Sequence, residues 1–477
     1  MRDYSKYFGP SIKDARKRKN KDTKEYKYEV DENLIGIGND KTFIVKTYGC
    51  QANLSDSEKI SGIMYELGFS EVDSEEEADI IFFNTCAIRD TAEQRVYGEL
   101  GRIKGLKEEK PERLIAVCGC MPQEEATVEK IKKQYQHVDI MFGTHNIHKI
   151  PEYINNAYLS KERILEVFSF EGDIIENIPQ KRAHKTMAWV NIMYGCDEFC
   201  TYCIVPYTRG KERSRRPEEI IDEVKKLVVE GYQEVTLLGQ NVNAYGNDFT
   251  DIDYTFANLL DDLNKVDIKR IRFTTSHPRD LDDETIEVMA KRGNIMPHLH
   301  LPVQSGSNQV LRKMNRKYTK EEYLEKVAKL RKLIPDISLT TDIIVGFPQE
   351  TEEDFMETLD LIEKAEFEGA FTFIFSPREG TPASKFKDDT PEEEKKERLQ
   401  RLNKVINEGY ARGNKRFVGE TVKVLVNGVS AKNEDVLTGY TPYNKVVNFP
   451  GSKDLIGKII DVKIDKAYTW HLKGVIV

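Results

Sequence analysis

The sequence predicts an α/β protein with three folded regions: a doubly wound parallel sheet, a partial TIM-like (β/α)6 barrel and a small all-β barrel of OB-like size. Short apolar strands alternate with amphipathic helices from Lys41, and a second alternating series begins near Trp189. After Lys415 the pattern becomes β-type alternation broken by glycine and proline. We expect the three regions at residues 41–159, 182–412 and 415–477, after a flexible or loosely docked extension at residues 1–40.

The first region shows the pattern β-α-β-α-β-α-β, which is typical of a parallel sheet with covering helices. The sequence Ser55-Asp-Ser-Glu58 predicts a capping box for its first helix, and Gly68 predicts that helix's end. The predicted strands are 42–48, 79–83, 114–117 and 138–142.

The second region follows an expected linker at residues 160–185 and contains six strand–helix units. Pro217 suits the first turn of a helix at 217–230, and a charged helix is expected at 390–416. The predicted strands are 189–194, 234–238, 270–274, 298–303, 338–345 and 370–375.

The third region is predicted to be a barrel of short strands. These are 420–426, 436–440, 446–449, 455–464 and 471–477. From Lys415 onward there are ten Lys and Arg against six Asp and Glu, a balance of +4; since the whole chain carries −9, the rest carries −13 (−9 − 4). The negative net charge counts mildly against RNA binding. It is a weak test, because RNA binding depends on local basic patches, and the end of this chain is basic.

No apolar run is long enough to cross a bilayer, and the first residues lack the apolar stretch of a signal peptide. We therefore expect a cytoplasmic protein without membrane contact. The odd number of cysteines, seven, argues against a disulfide framework.

Cys196, Cys200 and Cys203 follow a predicted strand at a spacing that lets three thiolates reach three irons of one 4Fe–4S cluster. The fourth iron would then be open to a substrate or cofactor. A structural zinc site is the main alternative, but zinc needs four ligands and the loop offers no fourth. Three unrelated core cysteines are the remaining interpretation.

Three further cysteines, Cys50, Cys86 and Cys120, each come just after a predicted parallel strand. The carboxyl ends of such strands lie side by side, so these thiols are expected to converge on a second site. The alternative is that each is a buried apolar thiol, which is common for free cysteine. Cys118 is expected to be a core residue at the end of its strand.

These motifs resemble the radical-SAM methylthiotransferase family. The segment from Cys196 to Gly210 resembles its radical-SAM signature, the three N-terminal cysteine motifs resemble its auxiliary cluster domain, and the terminal barrel resembles its RNA-binding TRAM domain. Four segments resemble the branch that acts on isopentenyl-adenosine beside the tRNA anticodon: 86–96, 209–215, 273–278 and 300–306. One departure is Gln349, where the family usually has glycine.

The resemblance implies two 4Fe–4S clusters, with SAM as both radical source and methyl donor. The cluster on Cys196, Cys200 and Cys203 would bind SAM, and the cluster on Cys50, Cys86 and Cys120 would supply sulfur. It also implies a tRNA substrate and an electron donor such as flavodoxin or ferredoxin. A monomer is expected.

Polar residues at predicted strand ends are candidates to hold SAM or adenosine, although ordinary loop hydrogen bonding explains each of them equally well. They are Gln240, Asn241, Ser276, Gln304 and Asp342. Arg213 and Arg215 belong to a basic segment that suits a carboxylate or RNA phosphates, or else a solvated turn. Lys445, Tyr468 and Trp470 are candidates for RNA contact, with core aromatics as the alternative.

Two other functions remain open from the residues alone. One is a non-catalytic RNA-binding protein with structural zinc, which would be colourless, whereas two clusters predict a brown protein with about eight irons. The other is a protein methylthiotransferase, for which a neutral or acidic terminal barrel would be more suitable than this basic one.

Overall fold

The computed structural model describes residues 24–87, 90–160, 162–167 and 173–477. The chain forms two compact units. The first contains Met1–Ala183, Tyr194–Phe199 and Cys203–Arg215, and the second contains His184–Met193, Cys200–Tyr202 and Arg216–Val477. Among the described residues, no helix has the length and apolar character needed to cross a bilayer.

The first unit is built on a six-stranded parallel sheet and a separate two-stranded parallel ribbon. The strands are β1 (Glu25–Lys27), β2 (Thr42–Tyr48), β3 (Ser70–Glu71), β4 (Ile80–Thr85), β5 (Leu114–Gly119), β6 (Ile140–Phe142), β7 (Ile164–Glu166) and β8 (Ile174–Glu176). The sheet order is β3-β2-β4-β5-β6-β7, and β1 pairs with β8.

Helices cover both faces of this sheet, which makes it doubly wound as predicted. Ile80 and Phe82 of β4 belong to one apolar cluster, while Ile81 and Phe83 belong to the cluster on the opposite face. The helices of this unit are α1 (Gln51–Glu66), α2 (Asp90–Arg102), α3 (Lys104–Glu109), α4 (Glu125–Gln134), α5 (Ile150–Ser160) and α6 (Val205–Thr208).

Helix α1 begins earlier than the sequence predicted. Cys50 is its N-cap, and the Asn53 side chain accepts a hydrogen bond from the Cys50 backbone N–H. The predicted capping box at Ser55–Glu58 is therefore wrong, and those residues lie inside the helix. The Asn53 amide takes the capping role because it reaches back to the first turn, as a glutamine or glutamate does in the usual box.

The expected extension and linker both contain ordered structure. Residues 24–40 contribute β1 and pack Tyr28, Val30, Leu34 and Ile37 against the core, whereas the part of the extension before residue 24 lies outside the described residues. The expected linker contributes β7 and β8. The sequence does not indicate these strands, because the apolar residues are isolated among charged residues and have no regular period.

The second unit contains a partial barrel made of two three-stranded parallel sheets. Their strands are β9 (Met187–Asn191), β12 (Glu234–Leu238), β13 (Arg270–Phe273), β14 (His298–His300), β15 (Ser338–Val345) and β16 (Ala370–Ile374), in the orders β13-β12-β9 and β14-β15-β16. The short strands β10 (Met193–Tyr194) and β11 (Arg213–Ser214) precede β12 in the chain.

The helices of the second unit pack against the outer face of these strands in one large apolar cluster. They are α7 (Pro217–Val229), α8 (Phe256–Leu263), α9 (Asp283–Ala290), α10 (Asn308–Lys313), α11 (Lys320–Leu333), α12 (Glu352–Ala365) and α13 (Glu392–Lys415). This architecture confirms the predicted TIM-like barrel.

The chain ends in a closed five-stranded barrel, also as predicted. Its strands are β17 (Thr421–Ser430), β18 (Asn433–Tyr440), β19 (Val446–Pro450), β20 (Ile459–Ala467) and β21 (Leu472–Ile476), in the order β17-β18-β19-β21-β20. Buried Arg270 and Arg272 of β13 donate hydrogen bonds to main-chain carbonyls of this barrel, so it is held against the start of β13.

Candidate functional site

Three cysteines of the first unit follow strands that end at the same level of the sheet. In the parallel register Tyr48 is aligned with Thr85, and Thr85 with Gly119. Cys86 and Cys120 directly follow Thr85 and Gly119, and Cys50 follows Tyr48 by two residues. The structure therefore brings together the three thiols that the sequence predicted to converge.

Main-chain hydrogen bonds fix two of these cysteines at the carboxyl end of the sheet. We call the site formed there by Cys50, Cys86 and Cys120 the cysteine edge. The Cys86 N–H donates to the Tyr48 carbonyl at 2.9 Å, and the Cys120 N–H donates to the Thr85 carbonyl at 2.8 Å. Cys50 is fixed as the N-cap of α1. The positions of the thiols thus depend on the sheet and helix rather than on a flexible loop.

Gly119 and Asn53 shape the backbone around the thiols. Gly119 has a φ of +94°, and a Cβ there would lie 2.4 Å from the Thr85 carbonyl oxygen. Asn53 Oδ1 accepts a hydrogen bond from the Cys50 thiol at 3.4 Å, and its Nδ2 donates to the Thr85 carbonyl at 3.2 Å. Both residues are therefore required by the local geometry of the cysteine edge.

A buried arginine supplies positive charge beside the thiols. Arg209 Nη2 lies 2.7 Å from Asp56 Oδ2, and both side chains are buried. Burial alone would lower the pKa of Arg209, but Asp56 and the thiols of Cys120 and Cys50 raise it well above its usual value. Arg209 therefore stays charged next to the cysteines.

The thiols differ in acidity according to their surroundings. A hydrogen bond with Cys86 lowers the pKa of Cys50 to about 5, against the effect of burial and with help from Arg209. Burial raises the pKa of Cys120, although Arg209 opposes it. Cys50 thus has a hydrogen bond with Cys86 and an electrostatic interaction with Cys120.

Cys118 belongs to a different environment. It is buried in the apolar cluster on one face of the sheet, and burial raises its pKa well above the usual value. Cys120 packs instead with Ala87 and Ile204. This agrees with the prediction that Cys118 is a core residue.

Cys196 and Cys203 belong to the first unit, and each is held in an irregular segment. The Cys196 N–H donates to the Gly210 carbonyl at 3.1 Å. Gly195 has a φ of +77°, and a Cβ there would lie 1.9 Å from the Lys211 carbonyl oxygen. Only glycine permits this close approach of the chain before Cys196.

Cys200 belongs to the second unit, where a buried arginine contacts it. Arg316 Nη1 donates to the Cys200 Sγ at 3.5 Å, and its Nη2 donates to the Pro302 carbonyl at 2.8 Å. Burial would lower the pKa of Arg316, but Tyr318, Tyr202 and Cys200 raise it well above its usual value. Arg316 was not predicted from the sequence, because nothing in its local sequence indicates a thiol neighbour.

The basic segment that contains Arg213 and Arg215 is neither a solvated turn nor an open anion site. Arg213 is buried, donates to the Arg209 carbonyl at 3.1 Å and lies over the Tyr194 ring. Arg215 forms a buried two-point ion pair with Glu176, at 2.6 and 2.5 Å. The expectation that Arg213 and Arg215 bind the cofactor is therefore not supported by their positions, because their cationic groups are engaged by the protein.

Asn241 and Ser276 lie buried after β12 and β13. Asn241 Nδ2 donates to Asp280 Oδ2 at 2.6 Å. The Asn241 Oδ1 and the Ser276 Oγ, however, make no hydrogen bond with the part of the chain that the structure describes. Buried polar atoms without partners are costly, so these two atoms suit a polar ligand.

Gln304, which follows β14, lies beside Asp342 of β15. Gln304 has a φ of +72°, and its main chain bridges β15 by accepting from the Ile344 N–H and donating to the Asp342 carbonyl. The Asp342 carboxylate lies 3.4 Å from His300 Nε2. Gln240 is half-buried just after β12.

The three candidate RNA contacts have different positions. Tyr468 and Trp470 are 47% and 67% exposed, and Tyr468 stacks on His471 with ring centres 4.6 Å apart. Lys445 is instead buried, 3.0 Å from the carboxylate of Glu368. The ammonium group of Lys445 therefore holds the terminal barrel to the core, and RNA contact by this residue stays a prediction.

Three family models match the chain. They are the radical SAM superfamily over residues 190–362, the uncharacterized protein family UPF0004 over residues 42–143 and the TRAM domain over residues 415–477. The first two spans contain the two cysteine trios, and the third coincides with the terminal barrel.

Several curated relatives match nearly the whole chain. A tRNA-2-methylthio-N(6)-dimethylallyladenosine synthase from Bacillus subtilis is 57% identical and covers 100% of this chain and 95% of its own length. The protein of the same name from Oceanobacillus iheyensis is 59% identical over 98% of this chain and 90% of its own length. A third, from Geobacillus kaustophilus, is 58% identical over 100% of this chain and 91% of its own length.

A solved structure shares the fold. It is the radical S-adenosylmethionine methyltransferase TsrM from Kitasatospora setae with cobalamin and a 4Fe–4S cluster bound, which has a TM-score of 0.53 and 13% identity. The match covers 72% of this chain and 74% of that one. At this identity it shows the architecture alone.

Proposed function

Because the chain belongs to the family of tRNA-2-methylthio-N(6)-dimethylallyladenosine synthases, which are radical-SAM enzymes, we propose that it methylthiolates carbon 2 of N6-dimethylallyladenosine beside the tRNA anticodon. SAM serves as both radical source and methyl donor. The observation that carries this conclusion in the structure is the cysteine edge of the first unit. Insertion of sulfur needs a thiol-bound site in addition to the radical-SAM cysteines, and this edge provides one.

The residues at the cysteine edge fit a 4Fe–4S cluster. Three thiols on three aligned strand ends can bind three irons, and no fourth cysteine of this group is needed. Thiolates are the ligating form, and the buried charge of Arg209 offsets part of their negative charge. Cys50, Cys86 and Cys120 would hold this auxiliary cluster, which would supply the sulfur.

Cys196, Cys200 and Cys203 would hold the radical-SAM cluster. Arg316 donates to the Cys200 sulfur, and such hydrogen bonds tune the reduction potential of a bound cluster. When bound, the clusters and SAM supply the radical, the sulfur and the methyl group, while the protein positions the adenosine and excludes water.

The polar groups at the barrel strand ends would hold SAM or the adenosine. Asn241 and Ser276 are the strongest candidates, because each has a buried polar atom without a partner among the described residues. Gln240, Gln304 and Asp342 complete the set at the ends and inner face of the strands. Arg213 and Arg215 are left out because protein groups engage their cations.

For tRNA binding, the exposed rings of Tyr468 and Trp470 on the terminal barrel suit stacking with unpaired bases. Functionally, residues 41–159 would carry the auxiliary cluster, residues 182–412 the radical chemistry and residues 415–477 RNA binding. We further propose that the protein is a cytoplasmic monomer, reduced by a flavodoxin or ferredoxin.

The test is nucleoside mass spectrometry of tRNA from a strain that lacks this gene. Methylthio-dimethylallyl-adenosine is expected to vanish, and the unthiolated dimethylallyl nucleoside to accumulate. Re-expression of the Cys118→Ala variant should restore the product, whereas Cys50→Ala should not. If the only nucleoside that changes is the methylthio derivative of threonylcarbamoyl-adenosine, another modified adenosine of tRNA, the assignment is refuted. An unchanged nucleoside profile would refute it as well.

A further inference from the structure

Strand β15 of the partial barrel has two chemically different faces. Leu339, Ile343 and Val345 pack in the apolar cluster formed with the outer helices. The side chains that alternate with these three along the strand must point to the opposite side, because successive side chains of a strand face opposite ways. Asp342 and Ile344 therefore face the interior of the barrel.

The neighbouring strand β16 carries two phenylalanines on this interior face. Phe371 is aligned with Asp342, and Phe373 with Ile344, in the parallel register. On the other face of β16, Thr372 Oγ1 donates to Asn403 Oδ1 of α13 at 2.7 Å. Phe371 and Phe373 thus project away from the helices and into the barrel.

These two rings are unusually accessible for side chains inside a barrel. Phe371 is 57% exposed and Phe373 is 39% exposed. The interior of a TIM-type barrel is normally filled by layers of packed side chains. Two open aromatic rings on neighbouring levels of the same strand therefore form an unfilled apolar surface, which we call the aromatic shelf.

The aromatic shelf has a polar edge. The His300 ring meets Phe371 edge to face, with ring centres 5.8 Å apart. His300 Nε2 lies 3.4 Å from Asp342 Oδ1, and Asp342 is at the same level of the sheet as Phe371. The surface thus combines aromatic rings with a hydrogen-bond acceptor beside them.

We propose that Phe371 and Phe373 bind the base and the dimethylallyl chain of the target adenosine, and so determine the preference for the prenylated nucleoside. This inference rests on the proposed function. Unpaired bases stack on exposed aromatic rings, and the five-carbon chain needs an apolar surface. Asp342 accepts a hydrogen bond from the N6–H of the same base.

The experiment compares two RNA hairpins of identical sequence, with and without the dimethylallyl group on the target adenosine. Their dissociation constants are measured by fluorescence anisotropy, and their kcat/KM values by thiolation assays. In the Phe371→Ala and Phe373→Ala variants the preference for the prenylated hairpin should fall about tenfold or more, by loss of stacking and apolar contact. Phe→Leu at either position should retain part of the preference.

A matched control is Val229→Ala, which removes an apolar side chain that is 88% exposed on α7 and should leave the preference unchanged. An unchanged preference in well-folded Phe→Ala variants would overturn the proposal. A weaker affinity for SAM in these variants, with an unchanged preference for the prenylated hairpin, would also overturn it, since the rings would then bind the cofactor. If the wild-type protein thiolates neither hairpin, the proposed function is refuted. In that case the dissociation constants still test whether the two phenylalanines determine the preference for the prenylated hairpin.

Discussion

Arg209 and Arg215 belong to one basic segment, yet each is held by a different carboxylate that is distant in sequence. Asp56 is 153 residues from Arg209, and Glu176 is 39 residues from Arg215. The charged residues near them in the sequence are mostly cations, so the local pattern predicted an anion site. Partners brought close only by the fold cannot be read from local spacing, and this is why the sequence did not predict the ion pair of Arg215 with Glu176.

Replacing Arg215 should test its structural role. Arg215→Met leaves the buried Glu176 without its partner, so we expect a loss of about 3–5 kcal/mol in the free energy of unfolding. Arg216→Ala removes a more exposed pair with Asp251 and should cost less than about 1 kcal/mol. Chemical denaturation measures both, and a stable Arg215→Met variant with weakened SAM binding would instead favour a cofactor contact.

Gln349, the departure from the family's usual glycine, has a φ of +64°. A residue with a Cβ is strained in this left-handed region, whereas glycine is not. Gln349→Gly should therefore stabilise the protein by up to about 1 kcal/mol, as measured by the denaturation midpoint. The control Gln400→Gly lies in helix α13, where glycine should cost about 1 kcal/mol; equal effects at both positions would contradict the explanation.

At the scale of elements, the sequence predicted strands more reliably than the ends of helices. The observed bounds of β2, β12 and β15 coincide with the predictions, because each is a short strand-like run with clear flanks. Helix α1 was misplaced because Asn53 caps it in place of the more familiar motif further on. The cap is a local contact between Cys50 and Asn53, but cysteine is not a usual N-cap residue, so the sequence pattern did not indicate it.

The end of β5 should be sensitive to any side chain at Gly119. Gly119→Ala places a Cβ against the Thr85 carbonyl at a positive φ, so the strand end must shift and displace Cys120. We expect a loss of about 1–2 kcal/mol in stability and a lower iron content. Gly98→Ala is the control: nothing lies within 4 Å of its Cβ in helix α2, and iron content should not change. Normal iron in Gly119→Ala would contradict the proposed geometry.

At the scale of the whole molecule, the order of the three architectures followed from hydrophobic period alone. A switch from strand–helix alternation to continuous β alternation marks the terminal barrel, and the structure confirms it. The sequence did not predict how that barrel is held. Buried Arg270 and Arg272 donate to its carbonyls, and Lys445 pairs with Glu368, all between residues far apart in the chain.

The topology of the parallel sheet explains why the cysteine edge was predictable although its cysteines are far apart in the sequence. Each cysteine follows an apolar run, and parallel strands necessarily end on one side of the sheet. Topology therefore supplied the convergence that spacing could not. The aromatic shelf, by contrast, depends on the register and facing of one strand, so Phe371 and Phe373 were not singled out from the sequence.

The proposed function requires that the chain carry two separate trios of cluster-binding cysteines. Its most direct test is the iron content after anaerobic reconstitution of the wild type, the Cys50→Ala/Cys86→Ala/Cys120→Ala variant and the Cys118→Ala variant. We expect about eight irons per chain for the wild type and Cys118→Ala, and about four for the triple variant. Equal iron in the triple variant and the wild type would contradict it.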